Sequence, residues 1–343
     1  MKSIKYIFLR SIFIIRRFFI QWRLYGFCVA FWTLVYPFYR IFGNFKPYFV
    51  VHKHKAILKF LCKHYAGIIN NLSNKHFGQD AVIESQSTIW VCWWDGFETM
   101  PPLIKTCYNT LNRHAGTHPV QLITKQNYHD FISIPEYILK KVNAGIITVT
   151  HFSDILRAAL LFEYGGIWID ATILVLKDIS FENLQFYSLK TTTKTNSIGH
   201  IRWQGLSRNF MRFYNHKVSE INRWSGFLLA GTKNSPLFEF MRDFFYAYWK
   251  EQNDLIDYLF IDYVLAIAYD NMLTVKKMID NVPCIDIDKF ALEKNMNTEF
   301  SEEYFAQYYM TTFHKLTWKK KFNIYTKNNK LTIYGYLLEN KDL

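Results

Sequence analysis

Between residues 89 and 176 short unbroken apolar runs take turns with helically spaced apolar positions, a pattern that predicts a layered α/β unit. Ile89 to Trp94, IWVCWW, is a compact apolar run closed by Asp95-Gly96, and reads as a buried strand ending in a turn. A helix is expected over Pro102 to His114, a strand over Val120 to Thr124, a helix over Tyr137 to Asn143 and a strand over Ile146 to Thr150. The stretch His151 to Leu176, HFSDILRAALLFEYGGIWIDATILVL, then combines a helix, a turn and a strand. Ser153 is a good N-cap, and apolar residues recur to Tyr164. Gly165 and Gly166 stop the helix, since a residue just past a helix end commonly needs positive φ. Ile167 to Leu176 is nearly all β-branched or large and apolar, the composition of a strand covered on both faces. Side-chain alternation would put Trp168, Asp170 and Thr172 on one face of it.

Further along, Gly226 to Gly231, GFLLAG, reads as a strand that returns the chain to the sheet. Ser235-Pro236 opens a helix to about Lys250, with proline in its first turn. Leu255 to Tyr269 is a mostly apolar helix holding Asp257 and Asp262, and Phe322 to Leu338 is read as a terminal hairpin turning at Asn328-Asn329. Strands alternating with helices imply a sheet with right-handed crossovers.

The first 40 residues have a different texture. Arg10, Arg16, Arg17 and Arg23 are interleaved with Ile, Phe and Leu, and Leu24 to Tyr39 carries no charge. The first part resembles a basic amphipathic helix on an anionic leaflet, where each Lys or Arg contributes about 1 kcal/mol. The second falls short of the roughly 20 residues that span a bilayer and contains Pro37. An interfacial or dipping segment is therefore expected; a cleaved signal peptide is not, because no small-residue cleavage site follows the apolar run. Residues 1–50 are accordingly read as a membrane-associating helical segment, peripheral on the inner, cytoplasmic face of the cell membrane. Residues 51–86 are read as a helical linker, helical around Ala56 to Leu72, and 87–343 as the main domain. The alternative for the first segment is a pair of ordinary helices packed on that domain.

A chain of 343 residues that is 50% hydrophobic and 19% aromatic can bury a large core and is not disordered. Its formal charge of +13 implies an anionic partner, whether nucleic acid, an acidic membrane surface or a phosphorylated substrate. A nucleic-acid-binding role lacks a recognisable reading motif, and the basic residues are spread rather than clustered. Five scattered cysteines without a C-x-x-C pair argue against disulfide scaffolding and a zinc site. No dinucleotide-binding or P-loop glycine motif occurs, and no H-E-x-x-H or G-x-S-x-G.

The chemistry concentrates in the central stretch. A carboxylate such as Asp170 is costly in an apolar strand unless it is paired or functional. Asp154 and Arg157, three apart on one helix, are neighbours. The simpler reading makes them a structural ion pair and Asp170 a satisfied strand-end residue.

SDILR followed by YGGIWIDAT resembles the S-D-x-x-R … Y-G-G-x-Y-x-D-x-D signature of the glycosyltransferases with a DXD sugar-binding motif, the group that includes yeast-type mannosyltransferases and large clostridial toxins. The closer resemblance is to the bacterial capsular polysaccharide synthesis proteins, in which the last aspartate is commonly absent. It covers roughly Ile89 to Lys320. It implies a GT-A-like nucleotide-sugar-binding sheet flanked by helices, here with a basic, aromatic N-terminal extension. It also implies hexosyl transfer, with retention, from a nucleotide-sugar donor to an oligosaccharide or lipid-linked acceptor. By resemblance, Asp154 and Arg157 contact the donor's hydroxyls and phosphates, and Trp94, in Trp94-Asp95-Gly96, can stack on the nucleobase. Gly165, Gly166, Asp170 and Thr172 complete the central element. His314-Lys315-Leu316-Thr317-Trp318 resembles a terminal H-x-x-[ST]-W element that folds over the donor, with Lys315 neutralising phosphate and Trp318 closing the pocket.

Departure of a diphosphate must be stabilised, usually by Mg²⁺ or Mn²⁺ held on carboxylates. The final aspartate of D-x-D is Thr172 here. Either Asp170 holds the cation with help from Thr172 and C-terminal groups such as His314, or basic side chains take over the neutralisation; the first is the expectation. Thr172 also leaves open a non-catalytic polysaccharide-assembly subunit. Asp262 is a candidate for orienting the acceptor hydroxyl or stabilising positive charge at the sugar carbon. Arg202, Arg208, Arg212, His216, Lys217 and Arg223 form either an acceptor-binding surface or a solvated basic face.

Overall fold

The computed structural model describes residues 2–37, 46–73, 81–181, 184–192, 221–285, 287–340 and 343. A five-stranded mixed sheet lies at its centre, in the order β2-β1-β3-β8-β5. Its strands are β1 (Ile89–Cys92), β2 (Val120–Ile123), β3 (Gly166–Ile169), β5 (Phe186–Ser188) and β8 (Leu228–Gly231). β1 runs parallel to β2 and β3, with Ile89 opposite both Val120 and Ile167; β8 is antiparallel to β3 and β5. The parallel half needs crossovers, and these are α5 (Pro102–Arg113) and the pair α6 (Glu136–Asn143) and α7 (Val149–Tyr164). α8 (Pro236–Glu251) and α9 (Phe260–Asn271) add a second helical layer, followed by α10 (Leu273–Asn281). Ile89, Ile167, Trp168, Leu160, Phe238 and Phe244 are almost wholly buried in one continuous core.

Two expected strands change character, each for a local reason. Residues 146–148 are a bend leading into α7, which takes in Val149 and Thr150, and β1 pairs directly with β3 with no further strand between them. Thr148, not Ser153, caps α7, accepting a hydrogen bond from the His151 amide, while Ser153 Oγ donates to the Thr150 carbonyl. The apolar run 167–176 breaks after Ile169: the Ile173 amide donates to the Asp170 carbonyl at 2.9 Å, closing a turn over Asp170, Ala171 and Thr172. The chain beyond it forms β4 (Ile173–Val175), which leaves the sheet to pair with β9 (Phe313–Lys315). Thr191–Thr192 and Ile221–Asn222, β6 and β7, form a further small pair. At the C-terminus only the first half of the expected hairpin forms. Asn329 takes φ 57° in a turn that bridges Tyr325 and Leu331, after which Thr332 caps a helix, α11 (Ile333–Glu339).

The described N-terminal residues form four helices, α1 (Lys2–Tyr25), α2 (Phe27–Val35), α3 (Lys46–His64) and α4 (Ala66–Ser73). Of residues 51–86, expected as a helical linker, the described ones contribute to the main core. Ile57, Leu61, Tyr65 and Ile69 are buried in the cluster that holds β1 and α7. Polar contacts tie the same helices to the loop and helix after α8. Arg17 grips both carboxylate oxygens of Asp254 at 2.6 Å, Lys53 forms a buried ion pair with Asp257, and His54 Nδ1 lies 2.6 Å from the Tyr263 hydroxyl. Among the described residues no helix is long and apolar enough to cross a membrane.

Candidate active site

A cleft of about 1060 Å³ opens at the C-terminal ends of β1 and β3, the edge at which ligands usually bind in α/β sheets. Asp154, Arg157, Asp170 and Asp262 all line it. Two glycines make the approach possible. Gly165 and Gly166 take φ 70° and 96°, and a Cβ on them would meet Lys233 N at 2.5 Å and the Thr88 carbonyl at 2.3 Å. They therefore set the sharp passage from α7 into β3 rather than contribute to the cleft wall. Asp154 and Arg157, on the inner face of α7, are thereby held opposite Asp170 at the end of β3.

Arg157 is the hub. Its Nη2 lies 3.2 Å from both Asp154 Oδ1 and Asp170 Oδ1, its Nη1 donates to the Gly226 carbonyl, and its guanidinium sits 4.9 Å from the Trp168 ring centroid. Trp168 Nε1 also donates to Asp170 Oδ1, at 3.0 Å. Lys315 Nζ closes the other side, 2.9 Å from Asp170 Oδ2 and 2.6 Å from Thr172 Oγ1. Register explains this contact: β9 pairs with β4 so that Lys315 stands opposite Ile173, next to Thr172. Burial pushes the Asp170 carboxyl up, but Lys315 and Arg157 together outweigh it and hold the group below the usual carboxylate range. For Asp154 burial prevails over Arg157, with Asp170 adding repulsion, and its carboxyl rises to about 7. Asp262 accepts from Trp224 Nε1 at 2.9 Å, yet burial still lifts it to about 6.

Over residues 39–337 the sequence matches the family of capsular polysaccharide synthesis proteins. The chain belongs to that family. It is also similar to two fungal proteins. It is 25% identical over 185 residues to the O-glycosyltransferase PaGT of Phomopsis amygdali, covering 50% of this chain and 40% of that one. With the O-glycosyltransferase braB of Annulohypoxylon truncatum it shares 27% over 106 residues, 28% of this chain and 25% of that one. The chain thus spans well under half the length of these relatives. Among solved structures it is similar to the PaToxG glycosyltransferase, at 13% identity and a TM-score of 0.36, over 69% of this chain and 84% of that one.

The C-terminal element lies against the cleft. Lys315 and Trp318 both line it, and the Trp318 ring lies edge-on to Trp93, 5.9 Å between centroids. Trp94 also lines the cleft, with Tyr128 and Phe152 packed against its ring. His314 is not brought there. Alternation along β9 turns it away from Lys315, and its buried ring places Nε2 on the carbonyls of Tyr308, at 2.9 Å, and Thr311, at 3.1 Å. Its expected place in a metal site is therefore corrected: it packs beneath the strand.

The remaining side chains expected to hold Mg²⁺ or Mn²⁺, Asp170 and Thr172, contact protein cations instead. Both Asp170 oxygens are already engaged by cationic side chains, Thr172 offers only a hydroxyl, and that hydroxyl holds the same ammonium.

Several cleft residues were not expected from the sequence. Lys289, from the segment after α10, is buried and donates to Ser225 Oγ, and its Nζ and that of Lys315 lie 5.2 and 4.8 Å from the Phe227 ring centroid. Tyr258 and Trp224 add aromatic surface. The tryptophan next to Ser225-Gly226, just ahead of the apolar GFLLAG run, was a readable signal; Lys289 had none. Of the basic cluster expected at the acceptor side, Arg202, Arg208, Arg212, His216 and Lys217 lie outside the described residues. Arg223 is buried over the Tyr269 ring, 4.0 Å from its centroid.

Proposed function

We propose that this chain is a glycosyltransferase that moves a sugar, with retention, from a nucleotide-sugar donor to a capsular or other surface polysaccharide acceptor. The observation that carries the reading is the convergence, in one cleft, of Asp154, Arg157 and Asp170 with a basic wall that includes Lys289 and Lys315. A nucleotide sugar presents hydroxyls and two phosphates, and this cleft presents matching acceptors and cations.

In this reading Trp94 and its aromatic neighbours receive the base, while Arg157, Lys289 and Lys315 face the diphosphate. Asp154, buried beside Arg157, binds donor hydroxyls and keeps the guanidinium oriented. As the bond from the anomeric carbon to the diphosphate breaks, its electron pair passes to a phosphate oxygen, where preorganised cations stabilise it. Asp262, fixed by Trp224, orients the acceptor hydroxyl. Retention rests on the likeness of residues 153–172 to the retaining DXD-type enzymes.

We place the protein peripherally on the cytoplasmic face of the membrane. In α1 and α2, Ile12, Ile15, Phe19, Trp22 and Phe27 are exposed, with Arg16 and Arg23 exposed alongside. That pairing of apolar and cationic surface suits an anionic leaflet. Incubating the purified chain with a panel of nucleotide sugars and following nucleotide release tests the transferase reading. Release that disappears in Asp170→Asn supports it; no release and no nucleotide binding overturns it.

A further inference from the structure

We propose that Lys315 takes the place of the divalent cation, so that donor binding and transfer need no metal ion. This inference rests on the nucleotide-sugar reading of the cleft. Three observations lead to it. First, the ammonium bridges the two polar side chains of the D-x-T element, Asp170 Oδ2 at 2.9 Å and Thr172 Oγ1 at 2.6 Å. A divalent ion could enter only by expelling it, and would then sit next to the guanidinium already on Asp170 Oδ1 at 3.2 Å. Both oxygens of Asp170, the carboxylate of the D-x-T element, are thus matched by protein cations, Arg157 on Oδ1 and Lys315 on Oδ2.

Second, the ammonium is held by backbone pairing rather than by a mobile loop. The Lys315 amide donates to the Lys289 carbonyl at 2.9 Å, the Leu316 amide to the Thr172 carbonyl at 3.0 Å, and Lys315 faces Ile173 across the β4–β9 pair. A charge fixed in this way costs little reorganisation as the reaction proceeds. Third, the group retains capacity for a ligand. An ammonium has three N–H donors; among the described residues two are taken by protein oxygens, and the side chain keeps 21% exposure toward the cleft.

The step is balanced without a metal. The bond between the anomeric carbon and the β-phosphate oxygen breaks, and its electron pair stays on that oxygen, against the Lys315 ammonium. The acceptor oxygen bonds to the anomeric carbon and its proton passes to the departing phosphate oxygen. Asp170 in this account is the counter-ion that aims the lysine, which explains why Thr172 suffices where two carboxylates would serve a cation.

The test measures binding of UDP and GDP, by titration calorimetry on the full chain, in EDTA and in excess Mn²⁺, for the natural protein and for Lys315→Met. The expected result is an affinity within about twofold in the two buffers and a loss of roughly tenfold or more in Lys315→Met, the scale of one charge-assisted hydrogen bond. Binding that appears only with Mn²⁺ overturns the inference while leaving the transferase reading standing. So does unchanged affinity in a folded Lys315→Met. If neither nucleotide binds in either buffer, the nucleotide-sugar reading fails and takes this inference with it. The two-buffer comparison on the natural protein needs no variant, so it decides the matter even if Lys315→Met does not fold.

Discussion

Arg157 on α7 and Asp170 at the end of β3 lie 3.2 Å apart, and the same guanidinium nitrogen is 3.2 Å from Asp154, so one arginine aligns two carboxylates from two different elements. A lysine keeps the charge but cannot make both contacts while also donating to the Gly226 carbonyl and stacking on Trp168. Arg157→Lys should therefore lose at least about tenfold in turnover, one charge-assisted contact. A steady-state assay on the folded variant checks this.

Asp262 offers a pH-dependent signature. Its carboxyl is raised to about 6 by burial, against an ordinary value of 3.8. The folded state therefore binds a proton more tightly than the unfolded chain does. The associated stability is complete below about pH 4 and is lost as pH rises through 6. Asp262→Asn keeps an acceptor for Trp224 Nε1 and removes the titration. Its unfolding free energy relative to the natural protein should rise between pH 4 and pH 7, as read by denaturant unfolding at several pH values.

Lys53 and Asp257 form a buried ion pair that joins α3 to the segment ahead of α9. Burial raises the Asp257 carboxyl, and Lys53 more than offsets it. Removing one partner leaves the other charge uncompensated, so Lys53→Met should destabilise by about 3–5 kcal/mol. The double variant Lys53→Met/Asp257→Leu should recover much of that loss in chemical denaturation.

Gly166 has φ 96° and no room for a Cβ, which would come within 2.3 Å of the Thr88 carbonyl. Gly166→Ala should cost at least about 1–3 kcal/mol and depress transfer, because α7 and β3 can no longer meet at this angle. Thermal unfolding and activity measured on the same sample check both effects.

Phe19 and Trp22 stack on one side of α1, 57% and 46% exposed. Replacing both with Glu should abolish flotation with anionic vesicles while leaving donor hydrolysis in solution unchanged. Equal flotation of the two proteins would remove the membrane assignment.

Much of the sheet and of the α7–β3 side of the cleft could be read from local pattern. The IWVCWW run is β1, SDILR lies on one helix, and the paired glycines stop that helix, because each depends on neighbours a few residues away. What escaped depends on distant pairing. The chemical partner of Asp170 is Lys315, 145 residues later, and only the β4–β9 register brings the two together. The same register turns His314 into the protein, although from sequence it looked equivalent to Lys315. The break at Asp170 to Thr172 was hidden inside an apolar run, since β4 is as apolar as β3 but pairs elsewhere. The helices of residues 46–73 looked separate because their core contacts, with α8 and α9, lie nearly two hundred residues away.

The most direct test of the central claim is transfer itself, assayed as nucleotide release and sugar incorporation from a panel of nucleotide-sugar donors. The natural protein should turn over at least one donor, and Asp170→Asn, folded by its thermal transition, should turn over none. A natural protein that binds DNA or RNA tightly and salt-dependently but neither binds nor cleaves any donor, or an Asp170→Asn variant with normal turnover, would contradict the account.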